Sequence, residues 1–169
     1  MIEKSQVRKS TRSKPTSKEE YWVKELLKAS ENEAHLPIKL RETSPRKGRG
    51  VEATRKIEKD EFVVEYCGEL VNSKEAKERE FVNDGNYLFF FKDHDQTFCI
   101  DATKEDFKFG RLINHSKLFA NLMPKKIIID NVPRLFFVAK DQIQPGEQLY
   151  YDYGDRRKGA MFDFPWLKQ

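Results

Sequence analysis

Three tyrosines and two aspartates crowd into LYYDYGD, residues 149–155. A phenol keeps its proton at neutral pH, offers one donor and one acceptor, and carries an apolar ring that can line a narrow channel. Several around one channel would orient an amine without binding it as an ion pair. The same spacing also suits a plain amphipathic strand, with Tyr151 and Tyr153 on one face and Tyr150 and Asp152 on the other. A second candidate is GRLINHS, residues 110–116, where Asn114 and His115 follow the apolar pair Leu112 and Ile113. Polar groups entering a core need partners. Asn and His together offer donors and acceptors suited to a purine edge, and a satisfied structural histidine is the alternative. The third is SPRKGRGV, residues 44–51, in which Pro45, Gly48 and Gly50 predict a loop, with Lys47 and Arg49 alternating with the glycines. Its backbone can lie against a ligand, although plain surface turns share the pattern. It lacks the later glycine of a dinucleotide fingerprint and the Gly-Lys-Ser/Thr of a phosphate loop.

The elements that must position these residues read as mostly β with short helices. Ser17 with Glu20 predicts a capping box, and Trp22, Val23, Leu26 and Leu27 recur at helical spacing to about Ala29. Asn72 with Glu75 predicts a second, exposed helix over SKEAKEREFV. The segments FVVEY, NYLFFF, TFCID, KIIID and LFFVA are rich in β-branched or aromatic residues and predict short strands. One device occurs twice: Ala53, Ile57, Glu61, Val63 and Gly68 are matched by Ala139, Ile143, Glu147, Leu149 and Gly154, always 86 positions later. Each copy is a strand, a tight turn (EKDE or QPGE) and a strand leaving toward a glycine. The pair predicts two similar units that deliver Tyr66 and the Tyr151/Tyr153 pair near glycine exits.

Composition bounds the setting. A chain of 169 residues suits one catalytic-sized domain. Two cysteines and three histidines favour a reducing compartment and no structural metal. No apolar run has the length of a membrane span, and MIEKSQVRKS lacks the apolar core of a signal peptide. These features predict a cytosolic or nuclear protein. Residues 1–18 hold six basic residues against Glu3, and the remainder has 26 basic and 27 acidic, so the formal net charge of +4 resides in the tail. Attraction to a polyanion such as DNA would therefore fall to a flexible arm. A merely solubilising tail is the alternative.

The order KGRGV, EFVVEYCGEL, NYLFFF, FCIDAT, GRLINHS and QPGEQLYYDYGD resembles the SET-domain protein lysine methyltransferases. Its flanks, an N-terminal helix and the ending FPWLKQ with no cysteine-rich segment, are similar to the branch that monomethylates lysine twenty of histone H4. With the basic tail read over 1–18 from its charge, the resemblance and its flanks imply a flanking helix over 19–35, a SET domain over 36–154 and a C-terminal segment over 155–169. It implies small β-sheets with a C-terminal pseudoknot, a rare threading of one segment through another. It further implies S-adenosylmethionine as methyl donor, S-adenosylhomocysteine as product, and a cofactor site of Lys47, Gly48, Arg49, Tyr87, Asn114, His115 and Trp166, the last covering the adenine. Tyr153 matches the family's catalytic tyrosine, with Tyr66 at the amine and Tyr151 where a second methyl would go. The implied setting is a monomer in the nucleus, on chromatin, acting on the histone H4 tail in nucleosomes and touching DNA through its tail, with no membrane. A non-histone substrate and a catalytically silent chromatin-binding module are the competing readings. Two departures stand out: SKLFANLMPKK after NHS, where Asn121 is expected to serve, and Phe89, Phe90 and Phe98 where relatives place polar aromatics.

Overall fold

The structure, a computed structural model, describes residues 16–42, 48–82, 87–93 and 95–153. Among them the order is α1 (Ser17–Glu31), β1 (Ile38–Glu42), β2 (Arg49–Ala53), β3 (Phe62–Glu65), β4 (Glu69–Asn72), α2 (Ser73–Val82), β5 (Leu88–Asp93), β6 (Gln96–Asp101), β7 (Asn114–His115), β8 (Leu122–Ile129), β9 (Val132–Ala139) and β10 (Tyr150–Tyr151). Single 3-10 turns lie at Glu33–His35 and Gly110–Leu112. The strands form four small sheets: β1-β2, β3-β9-β8, β4-β6-β5 and the pair β7-β10. All pairings are antiparallel except β7 with β10, which run parallel with Asn114 opposite Tyr150 and His115 opposite Tyr151. No helix among the described residues is long and apolar enough to cross a membrane.

The twofold device is visible as hydrogen bonding. Ile57 and Ile143 exchange both backbone bonds, at 3.0 and 2.9 Å, and both are fully buried. The bond from Ala53 N to Glu147 O (2.9 Å) is repeated 86 residues on by that from Ala139 N to Glu61 O (3.0 Å). Likewise Asp60 N bonds Ala139 O and Gly146 N bonds Ala53 O, each at 2.8 Å. The two tight turns match as well, since Asp60 (φ 66°) and Gly146 (φ 81°) occupy the same left-handed position. Aspartate tolerates that region and glycine favours it. Each unit therefore clamps the turn of the other, and the second strand of each leads to a site tyrosine.

Around this pair the core joins the inner faces of β2, β3 and β9. Phe136, Phe137, Leu135, Val63, Val64 and Leu149 retain at most 1% of their surface. Helix α1 lies on that sheet through Trp22, whose ring is 5.7 Å from Phe136 and whose indole N–H donates to Asp60 O at 2.9 Å. Its capping box uses Thr16 and Glu19 rather than Ser17 and Glu20: the Thr16 hydroxyl accepts from Glu19 N, and the Glu19 carboxylate accepts from Thr16 N. The pattern also fits one residue earlier, and starting there gives the helix one more residue while closing both bonds. Helix α2 begins as expected, with the Asn72 side chain accepting from Lys74 and Glu75, and buries only Ala76. The loop expected over SPRKGRGV is shorter than its glycines suggest, because Arg49 and Gly50 already pair with Glu42 and Arg41 in the β1-β2 ladder.

Removing either central isoleucine leaves a cavity that neither unit can collapse around alone. Ile57→Ala and Ile143→Ala should each cost about 2–5 kcal/mol in urea unfolding, and by similar amounts. A cost under about 1 kcal/mol for one of them would show that the units are not mutually clamped.

Candidate active site

Residues 147–153 reach the centre of the molecule with little ladder of their own, and hydrogen bonds from both sides fix them. Leu149 N donates to Val51 O on β2 at 2.8 Å. On the other flank the Asn121 side chain accepts from Tyr150 N and donates to Gln148 O, both at 2.9 Å. Ser116 N donates to Tyr151 O at 3.2 Å, and Tyr153 N donates to His115 Nδ1 at 3.0 Å. The segment thus passes between β2 and the Asn-His-Ser motif, as the expected pseudoknot requires. Asn121 acts here as a clamp on the strand that carries the tyrosines.

The phenols converge in an aromatic cage. Tyr151 lies 4.4 Å from Tyr153, 4.6 Å from Phe137 and 5.5 Å from Phe89 between ring centres, and Tyr66 lies 5.2 Å from Phe89. Tyr66 and Tyr151 are buried, whereas Tyr153 keeps 39% of its surface and forms the mouth, its hydroxyl turned inward to the carbonyl of buried Ile113. Tyr153 and Tyr66 donate their protons to backbone carbonyls: Tyr153 Oη to Ile113 O and Tyr66 Oη to Tyr87 O, each at 2.9 Å. Their oxygens therefore have lone pairs, not protons, left to offer a guest. Burial pushes the Tyr153 phenol up to about 12, against an opposing hydrogen bond from Tyr151. Burial, then the neighbouring Tyr153, lifts Tyr66 well above the ordinary phenol value. Both stay protonated at neutral pH. Phe89 and Phe137 are cage members that sequence reasoning missed. For Phe89 the signal was the alternation in NYLFFF, which puts Phe89 and Phe91 on one inward face. LFFVA gave none for Phe137, since it reads as unbroken core.

A second, polar group adjoins the cage. Asn114 Nδ2 donates to Arg49 O at 3.2 Å, tying the glycine loop to the Asn-His motif. Arg49 and buried Arg111 both pair with Glu105, at 2.5 and 2.8 Å. The Arg111 guanidinium lies 3.9 Å over the Tyr87 ring, a cation–π contact that props Tyr87 with φ at 63°. Because the Tyr87 carbonyl also holds Tyr66, Arg111 links the polar group to the cage; it was not among the expected site residues, although GRLINHS contains it. His115 joins the groups from the other side, its ring 4.9 Å from Tyr153. Its Nδ1 accepts from Tyr153 N, and Asp152 at 3.9 Å is too far to bond it, so the ring proton sits on Nε2. That atom is buried without a partner among the described residues. A buried donor of this kind calls for an acceptor, from water or from a ligand. Gly48 (φ 67°) is exposed at the edge of this group, with no atom of the described residues within 4 Å of where a Cβ would stand. Of the expected site residues, Gly48, Arg49, Tyr87, Asn114 and His115 thus gather beside Tyr66, Tyr151 and Tyr153. Lys47 and Trp166, with the glycine exit at Gly154, lie outside the described residues.

The approach of these elements leaves no room for a side chain at Gly110, where a Cβ would fall 2.1 Å from Glu65 O and 3.0 Å from the Tyr66 Cα. That glycine lets the turn before the Asn-His motif press on the strand carrying Tyr66.

Comparison with known proteins gives a consistent picture. The family described as SET domain matches residues 48–154. Histone-lysine N-methyltransferase Set8 of Drosophila melanogaster is 45% identical over 166 residues, covering 95% of this chain and 24% of its own length. N-lysine methyltransferase KMT5A of Xenopus tropicalis is 44% identical over 170 residues, covering 96% of this chain and 49% of its own. The chain therefore spans about a quarter to a half of the length of these relatives. Among solved structures, CpSET8 from Cryptosporidium superposes with a TM-score of 0.65 at 43% identity, over 75% of this chain and 61% of that one.

The raised phenol value has a pH signature. An unfolded tyrosine ionises near 10, so the folded state holds the Tyr153 proton longer; its contribution to stability is complete below pH 10 and is lost as pH rises toward about 12. Urea midpoints measured from about pH 9 to 11.5 should fall more steeply for the wild type than for Tyr153→Phe. Parallel curves would mean that the hydroxyl is not buried.

Proposed function

The chain belongs to the SET-domain family, and from that premise we propose that it is a protein-lysine N-methyltransferase that adds one methyl group to a lysine, on the histone H4 tail in nucleosomes. The observation that carries the proposal is the cage itself: phenols with committed protons packed among apolar rings. Lysine arrives with a pKa of about 10.4 and must lose its proton to become a nucleophile. Aromatic walls withhold the water that stabilises an ammonium and so lower that value. The proton leaves to water, because phenols whose ionisation is pushed this far above neutrality cannot serve as bases there. Tyr66 and Tyr153 then accept the N–H bonds of the neutral amine, aiming its lone pair along one line. Holding the reactants in line accounts for most of the rate.

Arg49, Gly48, Asn114, His115 and Tyr87 form the polar group suited to S-adenosylmethionine, with Lys47 and Trp166 expected to complete it. The unpartnered donor at His115 Nε2 and the open edge at Gly48 fit a ligand that combines a polar purine with a nearby charged chain. When bound, S-adenosylmethionine supplies a methyl group on a sulfonium; a carbon–nitrogen bond forms as the carbon–sulfur bond breaks, leaving S-adenosylhomocysteine. Tyr151, wedged between Phe89, Phe137 and Tyr153, occupies or hydrates the volume a second methyl would need, which limits the product to monomethyl-lysine. The relatives named for histone-lysine methylation support a histone substrate, a nuclear location and chromatin contact, for which the basic residues of the tail are suited.

Incubation with labelled S-adenosylmethionine and a histone H4 tail peptide, read by mass spectrometry, should give one added methyl and no more. Tyr153→Phe should slow transfer by about a hundredfold or more while cofactor binding by calorimetry stays within about twofold. Tyr151→Phe should allow dimethyl-lysine to accumulate. Wild-type turnover by Tyr153→Phe, or dimethylation by the wild type, contradicts the proposal.

A further inference from the structure

Among the rings of the cage, Phe137 alone retains no exposed surface. It is therefore out of reach of a guest, yet it meets both buried phenols, its ring centre 4.6 Å from Tyr151 and 6.3 Å from Tyr66. Its backbone is held on both sides, because β9 is the central strand of β3-β9-β8, with Phe137 opposite Val64 on β3 and Pro124 on β8. Tyr151, by contrast, belongs to a strand of two residues. Where its ring sits thus depends on what it packs against. The Phe89 ring lies nearly parallel to it at 5.5 Å, and the Phe137 ring comes closer, tilted by 47°. On its remaining flank the Tyr151 hydroxyl bonds that of Tyr153. The neighbour of Phe137 along β9 serves the other face of the sheet: Phe136 packs 5.7 Å from Trp22 and 5.6 Å from Phe62. A register shift between Phe62 and Val64 keeps the two faces distinct, leaving Val64 opposite Phe137.

We propose that Phe137 is a positioning residue for product specificity: it holds the Tyr151 ring forward against Tyr153 and so limits the number of methyl groups that a lysine in the cage can carry. This rests on the methyl-transfer reading of the cage. A second transfer repeats the first, with a carbon–nitrogen bond forming as the carbon–sulfur bond of another S-adenosylmethionine breaks and the amine proton leaves to water. It needs room for a methyl group beside the reacting amine. The Tyr151 hydroxyl denies that room only while the ring that bears it cannot retreat. Close-packed rings give it nowhere to go, whereas a void behind it would. Replacing Phe137 with leucine keeps the site apolar and leaves every hydroxyl in place, but removes ring atoms at the closest apolar contact of Tyr151. A core relaxes partly into such a void, and the side chain on the two-residue strand is freer to move than those of β3 and β9. The backstop and the hydroxyl are thus separate controls on the same product.

The test uses the whole chain and histone H4 tail peptides whose lysine is unmodified, monomethylated or dimethylated. Phe136→Leu is the control, since it removes the same atoms from the same strand on the opposite face. The ratio of kcat/KM for the monomethyl peptide to that for the unmodified peptide does not depend on how much of the enzyme is folded. It should rise by about tenfold or more in Phe137→Leu, the usual discrimination of one carbon in an apolar pocket, and stay within about twofold of wild type in Phe136→Leu. Phe137→Met is the milder second variant, with a smaller rise in the same direction. Calorimetry reads the pocket without turnover: wild type should bind the dimethyl peptide about tenfold more weakly than the monomethyl one, and Phe137→Leu should bind the two about equally. A ratio unchanged by both Phe137 variants, or raised alike by Phe137→Leu and Phe136→Leu, would overturn the positioning role alone. Equalised binding in Phe137→Leu with no transfer by any of the proteins would support that role and overturn the methyl-transfer reading. Dimethylation by the wild type would overturn both the monomethylating reading and the limit assigned to Phe137.

Discussion

Residues 147–153 carry two of the three site phenols yet contribute only a two-residue strand, so their position rests on the hydrogen bonds that grip them. Val51 holds Leu149 from one side, while the Asn121 side chain, Ser116 and His115 hold the rest from the other. Each grip comes from a different part of the chain: the glycine loop's strand, the Asn-His-Ser motif and the start of β8. Were any of them displaced, Tyr151 and Tyr153 would move relative to Tyr66, and the cage would lose its shape. The same crossing brings His115 against Tyr153, so one constraint places both the phenols and the polar group beside them.

The duplicated unit explains why such a crossing is stable. The reciprocal bridge between Ile57 and Ile143 makes each turn the support for the other, and the strand leaving each turn pairs with the strand that approaches the other. One delivers Tyr66, the other Tyr151 and Tyr153. The Tyr66 and Tyr153 hydroxyl protons are then spent on carbonyls of the scaffold, which turns two potential donors into acceptors among aromatic rings. Acceptors alone would favour the ammonium; desolvation among the aromatic rings is what works against the charged form.

Much of this was legible in the residues. The strands FVVEY and LFFVA follow from β-branched and aromatic runs, α2 from Asn72 and Glu75, and the duplicated unit from its fixed 86-residue offset. What the sequence could not display was the pairing of Asn114 with Tyr150, because parallel contact between distant short strands leaves no periodicity behind. Only resemblance to a family joined those motifs. Phe137 escaped notice for a related reason: in a strand buried on both faces, a cage residue is indistinguishable from core. Glu105, bridging Arg49 and Arg111, is one charge among many until folding brings its partners together. The capping box shifted by one residue because adjacent Thr-x-x-Glu and Ser-x-x-Glu patterns compete on nearly equal terms.

The central claim is that the environment, rather than a side-chain base, makes the lysine nucleophilic, and that the phenols work with their protons in place. The pH dependence of the single-turnover rate of methyl transfer tests it most directly. The rate should rise with unit slope as the bound lysine deprotonates, level off below the free lysine value of about 10.4, and show no falling limb up to about pH 10, since Tyr153 ionises only near about 12. A bell-shaped profile closing below about pH 9, or a rise that tracks tyrosine ionisation, would contradict this account.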